Sequence, residues 1–445
     1  MNYDQAVHSL FSLGKELASP RQPALSSAQG ARVQKFGLEN ISALAEALGN
    51  PHLAVPCVHI AGTNGKGSTA AMLESIVRAA GLRTGLYTSP HLETINERIR
   101  INGENISDDD FAAAWTTVHS AIELLLAAGK LAAHPTFFEC ITAMAFVAFQ
   151  SSGVQFAIYE VGLGGRFDAT NIVQPDVAVI TAIDFDHENY LGHSIELIAA
   201  EKAGIIKHNI PVVIGEHHPE TAPVFEEKAK KENAPLSFAD HHHYVTDWKY
   251  GRHTLDVEIA TTPVADMVEW YTLDLAGIYQ TRNLVTVLES VHVLRGIGWK
   301  LEPPVVRRAL REVKKLTGLH GRWEIIHEHP DIILDVAHNE DGIRQLLRQI
   351  EVTDHEELHI VLGLVKDKAI DKILSLLPGE ANYYFTRAQI PRALPEEELA
   401  ARARAAGLKG HSYATVPEAL EAAKATAKPK DLIVVCGSVF VVGEV

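Results

Sequence analysis

Apolar residues along this chain form two alternating patterns: short continuous runs, and longer runs with a helical period. The short runs predict buried strands at 57–60, 83–87, 156–161, 177–183 and 211–215. The periodic segments predict helices at 3–17, 38–48, 69–77, 108–128 and 137–150, and one that contains residues 200–204. Because strands that alternate with helices form parallel sheets, residues 57–215 are expected to form a largely parallel, doubly wound α/β sheet.

The pattern changes after this region. Short alternating segments from about 237 to 275 predict a small antiparallel patch, and 276–318 return to a helical period. Beyond 320 the alternation resumes, with strands expected at 332–335, 358–362, 383–385 and 432–435 and helices at 341–350, 368–377, 395–406 and 416–426. We therefore predict two domains: a P-loop-type domain over 1–319 and a smaller Rossmann-like α/β domain over 320–445.

Composition narrows the class of partner. The 445 residues carry a formal charge of −16 without a basic cluster, which disfavours nucleic acid and favours small molecules. No apolar run reaches the roughly 18–20 residues that span a bilayer, and the N-terminus does not resemble a signal peptide. Three cysteines lie far apart without a C-x-x-C pair, as is usual in a reducing cytosol. We expect a cytoplasmic protein that contacts neither a membrane nor nucleic acid.

The stretch AGTNGKGS at 61–68 has the setting of a phosphate-binding loop, between a predicted strand and a predicted helix. Glycines allow backbone N–H groups to approach phosphate oxygens, and the helix N-terminus favours negative charge. Lys66 is expected to neutralise the terminal phosphates, and Ser68 to offer a hydroxyl to Mg²⁺ or a phosphate. Gly67 stands between them, which departs from the usual P-loop spacing. The stretch predicts a nucleotide site.

Glu160 and His187 each follow a predicted parallel strand, so both should face the crevice above the phosphate loop. A carboxylate suits Mg²⁺, whereas a histidine points to Mn²⁺ tolerance or to a distinct second site. The alternative is a strand-end carboxylate and a loop histidine without a metal. The residues leave both interpretations open.

Further polar residues have a structural and a functional interpretation. Lys202 is either a solvated helix lysine or, because 198–201 suggest a half-buried face, a lysine that CO₂ carbamylates beside a metal pair. Asp335 and His338 are candidates to hold a substrate or a ribose, and Asn339 fits a helix N-cap. The histidines at 217–218 and 241–243 lack metal-ligand spacing and are expected on the solvated surface. Taken alone, 96–103 would be a solvated edge strand.

Several motifs together resemble one family over essentially the whole chain. They lie at 57–103, 160–171, 186–192, 201–205, 321–322 and 334–339, and they are similar to folylpolyglutamate synthase, which in bacteria is often bifunctional with dihydrofolate synthase and belongs to the muramyl-peptide ligase superfamily. The resemblance implies an ATP-dependent ligase that adds L-glutamate to folates through an acyl phosphate, with dihydropteroate left open as a second acceptor. Val336 and Glu340 depart from the family, which commonly has glycine and proline there.

The resemblance also implies roles for individual residues. ATP is expected at Thr63, Asn64, Gly65, Lys66, Gly67, Ser68, Asn283, Arg322 and Asp335. Metal ligands are expected at Ser89, Glu160, His187 and a carbamylated Lys202. The folate is expected at Thr136, Phe137, Phe138, Glu139, Phe167, Asp168 and Ala169, and the incoming glutamate at His338 and Ser438. Lys66 and His338 are the expected catalytic residues. The implied cofactors are ATP, two Mg²⁺ ions and a monovalent cation, and the implied state is a monomer.

Two other functions are compatible with part of the sequence. A muramyl-peptide ligase or a cyanophycin-type amide ligase shares the chemistry, but the stretch at 89–92 favours the folate enzymes. A P-loop ATPase switch that regulates a partner would leave residues 335–339 without a role. We therefore expect a folate ligase.

Overall fold

Three β-sheets form the framework of the protein in a computed structural model, which describes residues 1–13, 37–131, 133–262, 268–366 and 368–445. Within these ranges the largest sheet has eight strands: β1 (Cys57–Ala61), β2 (Thr84–Tyr87), β3 (Ile99–Ile101), β4 (Glu104–Asn105), β5 (Phe156–Glu160), β6 (Val177–Ile180), β7 (Val212–Ile214) and β8 (Leu236–Phe238). Their spatial order is β4-β3-β2-β5-β1-β6-β7-β8. Six of them pair in parallel, while β3 and β4 form an antiparallel hairpin at one edge. The predicted parallel α/β sheet is therefore confirmed.

The first half of the chain also contains helices α1 (Tyr3–Ser12), α2 (Glu39–Ala47), α3 (Lys66–Ala79), α4 (Asp108–Ala127), α5 (Phe137–Ser151), α6 (Glu188–Leu191), α7 (Ile195–Ala203), α8 (Ala222–Lys231) and α9 (Ala239–His242), with short 3₁₀ turns at Pro51–Leu53, Ile95–Arg98 and Ala169–Ile172. One apolar layer joins α1, α2, α4 and α5 to the sheet, and α3 belongs to the layer on the opposite face. Burial on both faces explains why the central strands are continuous apolar runs.

A small antiparallel sheet follows, with strands β9 (His243–Tyr250), β10 (Leu255–Thr261) and β11 (Val268–Leu273). Its apolar face packs with helices α10 (Gln280–Gly296), α11 (Pro303–Leu310) and α12 (Val313–Thr317) against α3. The antiparallel patch and the helices after it are therefore confirmed as predicted.

The third sheet contains strands β12 (Glu324–His327), β13 (Asp331–Leu334), β14 (Leu358–Leu362), β15 (Asn382–Phe385), β16 (Gly410–Ser412) and β17 (Leu432–Cys436). Their order in the described chain is β12-β13-β17-β14-β15-β16, and only β12 pairs antiparallel. Around it lie helices α13 (Glu340–Glu351), α14 (Ile370–Leu376), α15 (Glu396–Ala405), α16 (Val416–Thr426) and α17 (Val439–Val442). The second α/β unit is confirmed, while the exact boundary at 319/320 stays a prediction.

The segment at 96–103 is not a solvated edge strand, so that prediction is wrong. Arg98 and Arg100 are only 2% and 8% exposed. Arg98 Nε donates to His91 Nδ1 at 2.8 Å, and its guanidinium lies over the Phe137 ring. Arg100 Nε donates to Asn105 Oδ1 at 3.0 Å. Polar partners within the fold allow these charged side chains to be buried, which charge alternation in the sequence does not indicate.

The histidine run at 241–243 is also not wholly solvated. His243 is buried, and its Nε2 lies 3.2 Å from Glu289 Oε2, while His242 Nδ1 lies 3.0 Å from Oε1 of the same carboxylate. Burial acts to raise the pKa of Glu289, but bonds to His243, Ser237 and His242 outweigh it and lower the pKa to about 2. The prediction failed because the partner, Glu289, is distant in sequence.

Two further observations concern helices. The helix expected over 3–17 ends at Ser12, and residues 14–17 lie outside the described ranges. No helix within the described residues is both long and apolar enough to span a bilayer.

Candidate active site

The phosphate loop lies at the centre of the largest sheet, between the end of β1 and the start of α3. Gly65 has φ +87° at the N-cap of α3, and a Cβ atom there would lie 2.2 Å from Asn283 Oδ1. Both facts require glycine at this position. Thr63 N donates to the Ala182 carbonyl at 2.8 Å, which ties the loop to the segment after β6. The loop and the first turn of α3 are thereby held in place.

Two lysines meet at one carbonyl of this loop. Lys66 Nζ donates to the Gly62 oxygen at 3.0 Å, and Lys202 Nζ donates to the same oxygen at 2.8 Å. Lys202 is only 4% exposed. Burial, and next the like charge of Lys66, lower the pKa of Lys202 to about 7. The solvated-lysine interpretation of Lys202 is therefore wrong, because α7 packs this side chain inward.

The other expected metal ligands face the same space. Glu160, at the end of β5, is 5% exposed and accepts a hydrogen bond from the Ser89 amide at 3.3 Å. Burial raises the pKa of Glu160, although Lys66 and Arg322 act to lower it. His187 has φ +51° at the start of α6. The side chains that should bind a hard cation are thus brought together, as their positions at strand ends predicted.

The third sheet contributes a carboxylate from the end of β13. Asp335 Oδ2 accepts the Tyr279 hydroxyl at 2.7 Å and the Trp323 amide at 3.0 Å, and Oδ1 accepts the Ala337 amide at 2.9 Å. Burial raises the pKa of Asp335 despite these bonds. Because Tyr279 precedes α10, this carboxylate connects the two large sheets.

These groups surround a cleft of about 210 Å³ between the two sheets. All residues expected to bind ATP or metal line it, together with His338: Thr63, Asn64, Gly65, Lys66, Gly67, Ser68, Ser89, Glu160, His187, Lys202, Asn283, Arg322, Asp335 and His338. Positive side chains from both sheets therefore face the same cavity as Glu160. Such a cavity suits a polyphosphate with bound cations.

The residues expected at the folate have mainly structural contacts. Thr136 and Glu139 form a reciprocal capping box at the start of α5, and Phe137 is buried in the core beside Arg98. Phe138 lies under the glycine loop, where a Cβ on Gly162 would be 2.5 Å from its ring. These residues are outside the cleft but adjacent to it through that loop. Their folate role stays a prediction.

The second part of the folate set organises the glycine loop itself. Asp168 Oδ2 accepts the Gly162 and Leu163 amides, both at 3.0 Å, and Oδ1 accepts the Thr170 amide and hydroxyl. Ala169 is buried, whereas Phe167 is 45% exposed. The Arg166 guanidinium lies over the ring of Phe167, 4.6 Å from its centroid.

The glutamate candidates differ in position. His338 Nδ1 donates to the Val336 carbonyl at 2.9 Å, which leaves Nε2 at 3.4 Å from Asp186 Oδ2. Ser438 is buried and caps the short helix α17, and it does not line the cleft. The neighbouring Val439 does.

Sequence reasoning missed the connections across the cleft. Lys368 Nζ lies 2.5 Å from Asp186 Oδ1, and both side chains are nearly buried. Burial acts to raise the pKa of Asp186, but Lys368 and His338 hold it well below its usual range. The Asn64 amide, which was expected to contact ATP, donates to Asn339 at 3.1 Å and Asp341 at 2.8 Å. Asn339 also caps α13, as predicted. In the sequence, only the consecutive charged residues at 366–368 pointed to a functional role for Lys368.

Comparisons with known proteins agree with this architecture. Residues 60–291 match the Mur ligase middle domain, and 321–439 match the Mur ligase glutamate ligase domain. The dihydrofolate synthase/folylpolyglutamate synthase of Bacillus subtilis is 32% identical over 415 residues, which are 92% of this chain and 94% of that protein. A probable bifunctional folylpolyglutamate synthase/dihydropteroate synthase of Haloferax volcanii is 32% identical over 449 residues, and this chain spans only about half (50%) of that protein.

A solved structure adds the fold and the bound molecules of a relative. It is a bifunctional folylpolyglutamate synthase/dihydrofolate synthase with Mn, AMPPNP and L-glutamate bound. It superposes with a TM-score of 0.80 at 29% identity, over 100% of this chain and 97% of that one.

Proposed function

The chain belongs to the Mur ligase family, within the group of folylpolyglutamate and dihydrofolate synthases, and from that premise we propose that it joins L-glutamate to folates at the expense of ATP. One observation carries the proposal. The phosphate loop, Glu160 and Lys202 of the first unit face Arg322, Asp335 and His338 of the second unit across one cleft. A nucleotide, a cation and an acceptor carboxylate can meet there.

The chemistry that this cleft supports is carboxylate activation. A carboxylate is a poor electrophile, so ATP first transfers its γ-phosphoryl group to the folate carboxylate and ADP leaves. The glutamate amine then attacks the acyl phosphate, and phosphate leaves as the amide forms and the amine loses a proton. Lys66 is placed to neutralise charge on the phosphates. Asp186, next to His338, is placed to orient its imidazole in the cleft.

The donors in the cleft fit divalent cations. Glu160 and Ser89 offer oxygen atoms, as Mg²⁺ prefers, and His187 adds a nitrogen that Mn²⁺ accepts well. When bound, such ions neutralise negative charge between the γ-phosphate and the acceptor. The Lys202 ammonium does not fit a cation, but its carbamate would. The two-metal arrangement and the monovalent cation stay proposals.

Carbamylation of Lys202 has a physical argument. Two ammonium groups share the Gly62 oxygen, which disfavours the charged form of one of them. A neutral amine at Lys202 can attack CO₂, forming an N–C bond and releasing one proton. The resulting carbamate carries a negative charge, so the repulsion from Lys66 becomes an attraction.

Closure of the two units excludes water from the cleft during the reaction. An acyl phosphate is hydrolysed if water reaches it, so the cleft must be closed during the reaction. Asp335 connects Tyr279 to Trp323 across the units, which couples closure to the residues expected at the nucleotide.

The test is phosphate release from ATP by the purified protein with Mg²⁺ and L-glutamate. Tetrahydrofolate and dihydropteroate are supplied in separate reactions. Release that needs both glutamate and tetrahydrofolate supports polyglutamylation, and the same dependence with dihydropteroate adds dihydrofolate synthesis. Release at full rate without glutamate supports an ATPase switch instead. Protein that binds ATP but releases no phosphate with either folate overturns the proposal.

Three further proposals concern the oligomeric state, the location and the partners of the protein. We propose that the chain acts as a monomer, as its resemblance to folylpolyglutamate synthases implies. We propose a cytoplasmic location, which the three buried, unpaired cysteines support. Its partners are the small-molecule substrates and not nucleic acid, in keeping with the acidic charge.

A further inference from the structure

A cluster of side chains of the types that bind metals lies outside the cleft, where α4 is followed by the segment that leads into α5. His119 and Glu123 are four residues apart on α4, so they share one face of that helix. His134 lies two residues before the N-cap of α5. One ligand atom from each of the three residues lies within 4.8 Å of the other two.

The tautomer of His134 is set for binding a metal. Its Nδ1 lies 2.8 Å from the Pro135 carbonyl oxygen, and a carbonyl oxygen only accepts hydrogen bonds. Nδ1 therefore carries the proton, and Nε2 retains its lone pair. Metal-binding histidines usually have this arrangement, in which a carbonyl fixes the ring through its other nitrogen.

The other two side chains have no competing polar partner. The His119 ring stacks on buried Trp115 at 5.3 Å, and its Nδ1 is buried without a hydrogen bond to any described residue. Glu123 is exposed, and within the described ranges no residue pairs with its carboxylate. A buried ring nitrogen without a partner is costly unless something binds there.

Another histidine–carboxylate group shows the contrast. His359 Nδ1 lies 3.0 Å from the Tyr384 hydroxyl and Nε2 lies 3.4 Å from Asp431. Asp431 in turn accepts the Glu357 and Lys428 amides. The polar atoms of His359 and Asp431 are therefore hydrogen-bonded within the protein. His119, Glu123 and His134 form no such bonds with one another.

We propose that His119, Glu123 and His134 bind a divalent transition-metal ion of the Zn²⁺ class. Two imidazoles and one carboxylate form a common zinc ligand set, and exposure of Glu123 leaves a fourth position to water. Tetrahedral ligands with bonds near 2.0–2.1 Å lie about 3.4 Å apart, so small rotations of His134 and Glu123 complete the site. Imidazole donors disfavour Mg²⁺, which distinguishes this site from the one in the cleft.

The bound ion would join α4 to the start of α5. Such a link between His134 and the pair His119 and Glu123 would stabilise the folded chain. This inference does not depend on the ligase activity, because none of the three side chains lines the cleft.

The test compares Co²⁺ and Zn²⁺ binding among full-length proteins held with excess Mg²⁺ and AMPPCP, so that the cleft is occupied. The wild type is compared with a His119→Gln, His134→Gln double variant, and a His217→Gln, His218→Gln double variant serves as the control. We expect one equivalent of Co²⁺ with the intense visible bands of four-coordination in wild type and control, and its loss in the first variant. Single substitutions should weaken Zn²⁺ binding by about tenfold or more.

Thermal unfolding gives an independent readout. Excess Zn²⁺ should raise the Tm of wild type and control but not of the His119, His134 variant. If that variant does not fold, Glu123→Gln changes only an exposed carboxylate and should also lose the visible bands. Equal metal stoichiometry, spectra and Tm shifts in wild type and in the variants of these three residues would overturn the proposal.

Discussion

Lys202 differs from an ordinary lysine, because it is buried with a pKa of about 7 beside a second lysine. We predict that ¹³C-labelled bicarbonate gives a carbamate signal in the NMR spectrum that Lys202→Ala removes. The same variant should lower kcat about 100-fold or more, since it removes charge stabilisation from the cleft. Lys207→Met is the control, because Lys207 is a second lysine with a lowered pKa, about 8, bonded to backbone oxygens outside the cleft. A carbamate signal that survives in Lys202→Ala would contradict the prediction.

Lys368 provides a second prediction for a single residue. Its ammonium neutralises Asp186 in a nearly buried pair, so Lys368→Met leaves an unpaired carboxylate beside His187 and His338. We expect kcat/KM for glutamate to fall about 100-fold. Lys366→Met removes an exposed lysine from the same segment and should stay within about twofold of wild type. Equal rates for the two variants would show that the pair has no part in the reaction.

The residue scale also shows what the sequence could reveal. The position of Glu160 and Lys66 beside the cleft could be predicted, because Glu160 ends a parallel strand and Lys66 follows a glycine loop, where the fold itself fixes their direction. Lys368 could not, because its significance comes from Asp186, 182 residues earlier. The capping box of Thr136 and Glu139 was not predicted, because these residues were considered only as folate contacts.

Helix α3 contains a buried acid that makes stability depend on pH. Burial raises the pKa of Glu74 to about 7, although the Thr84 hydroxyl bonded to it acts in the opposite direction. Between pH 4.5 and 7 the folded protein therefore holds a proton that the unfolded chain has lost, so stability falls as pH rises through that window. The loss of stability caused by ionising buried Glu74 is absent below pH 4.5 and complete above about pH 7.

Glu74→Gln should remove this dependence. Relative to wild type, its free energy of unfolding should rise by on the order of 3 kcal/mol between pH 4.5 and pH 8. Urea unfolding at both pH values measures it. Glu226→Gln, on an exposed position of α8, is the matched control and should show no such gain. The prediction fails if the two variants change in parallel.

At the scale of elements, long apolar strands were predicted and short polar ones were not. The strands β1, β5, β14 and β17 are continuous apolar runs that both faces of a sheet bury. Strand β16 has only the residues Gly410–Ser412, and it exists because β15 offers an edge with which it can pair. Strand β3 lies within the strand considered at 96–103, but its partner β4 was missed for the same reason. Such strands are determined by their neighbours rather than by their own pattern.

For the whole molecule, the bond between Tyr279 and Asp335 predicts how closure affects nucleotide binding. Tyr279→Phe keeps the ring but removes the hydroxyl from a buried carboxylate, so we expect the Kd for ADP to rise about tenfold. Tyr250→Phe is the control. Its hydroxyl accepts from Trp323 Nε1 at 3.1 Å, outside the lining of the cleft. A fluorescent ADP analogue measures both, and equal affinities would refute the coupling.

The alternation of the main strands and helices, the two α/β units and the ligase chemistry could be predicted, because contiguous motifs carry them. The arrangement of the two units across the cleft could not. It depends on pairs such as Asn64 and Asn339, 275 residues apart, and no local pattern contains that information.

The amide pair of Asn64 and Asn339 has a kinetic consequence. Each side chain donates to the other's oxygen, and Asn64 also donates to Asp341, so the phosphate loop is fastened to the first turn of α13. The units cannot separate without breaking these bonds at the place where phosphates bind. Separation of the units near the nucleotide is therefore expected to slow when these bonds are formed and to quicken when they are removed. We therefore predict that Asn339→Ala shortens the residence time of bound ADP, which stopped-flow release of a fluorescent ADP analogue measures; an unchanged release rate would contradict this.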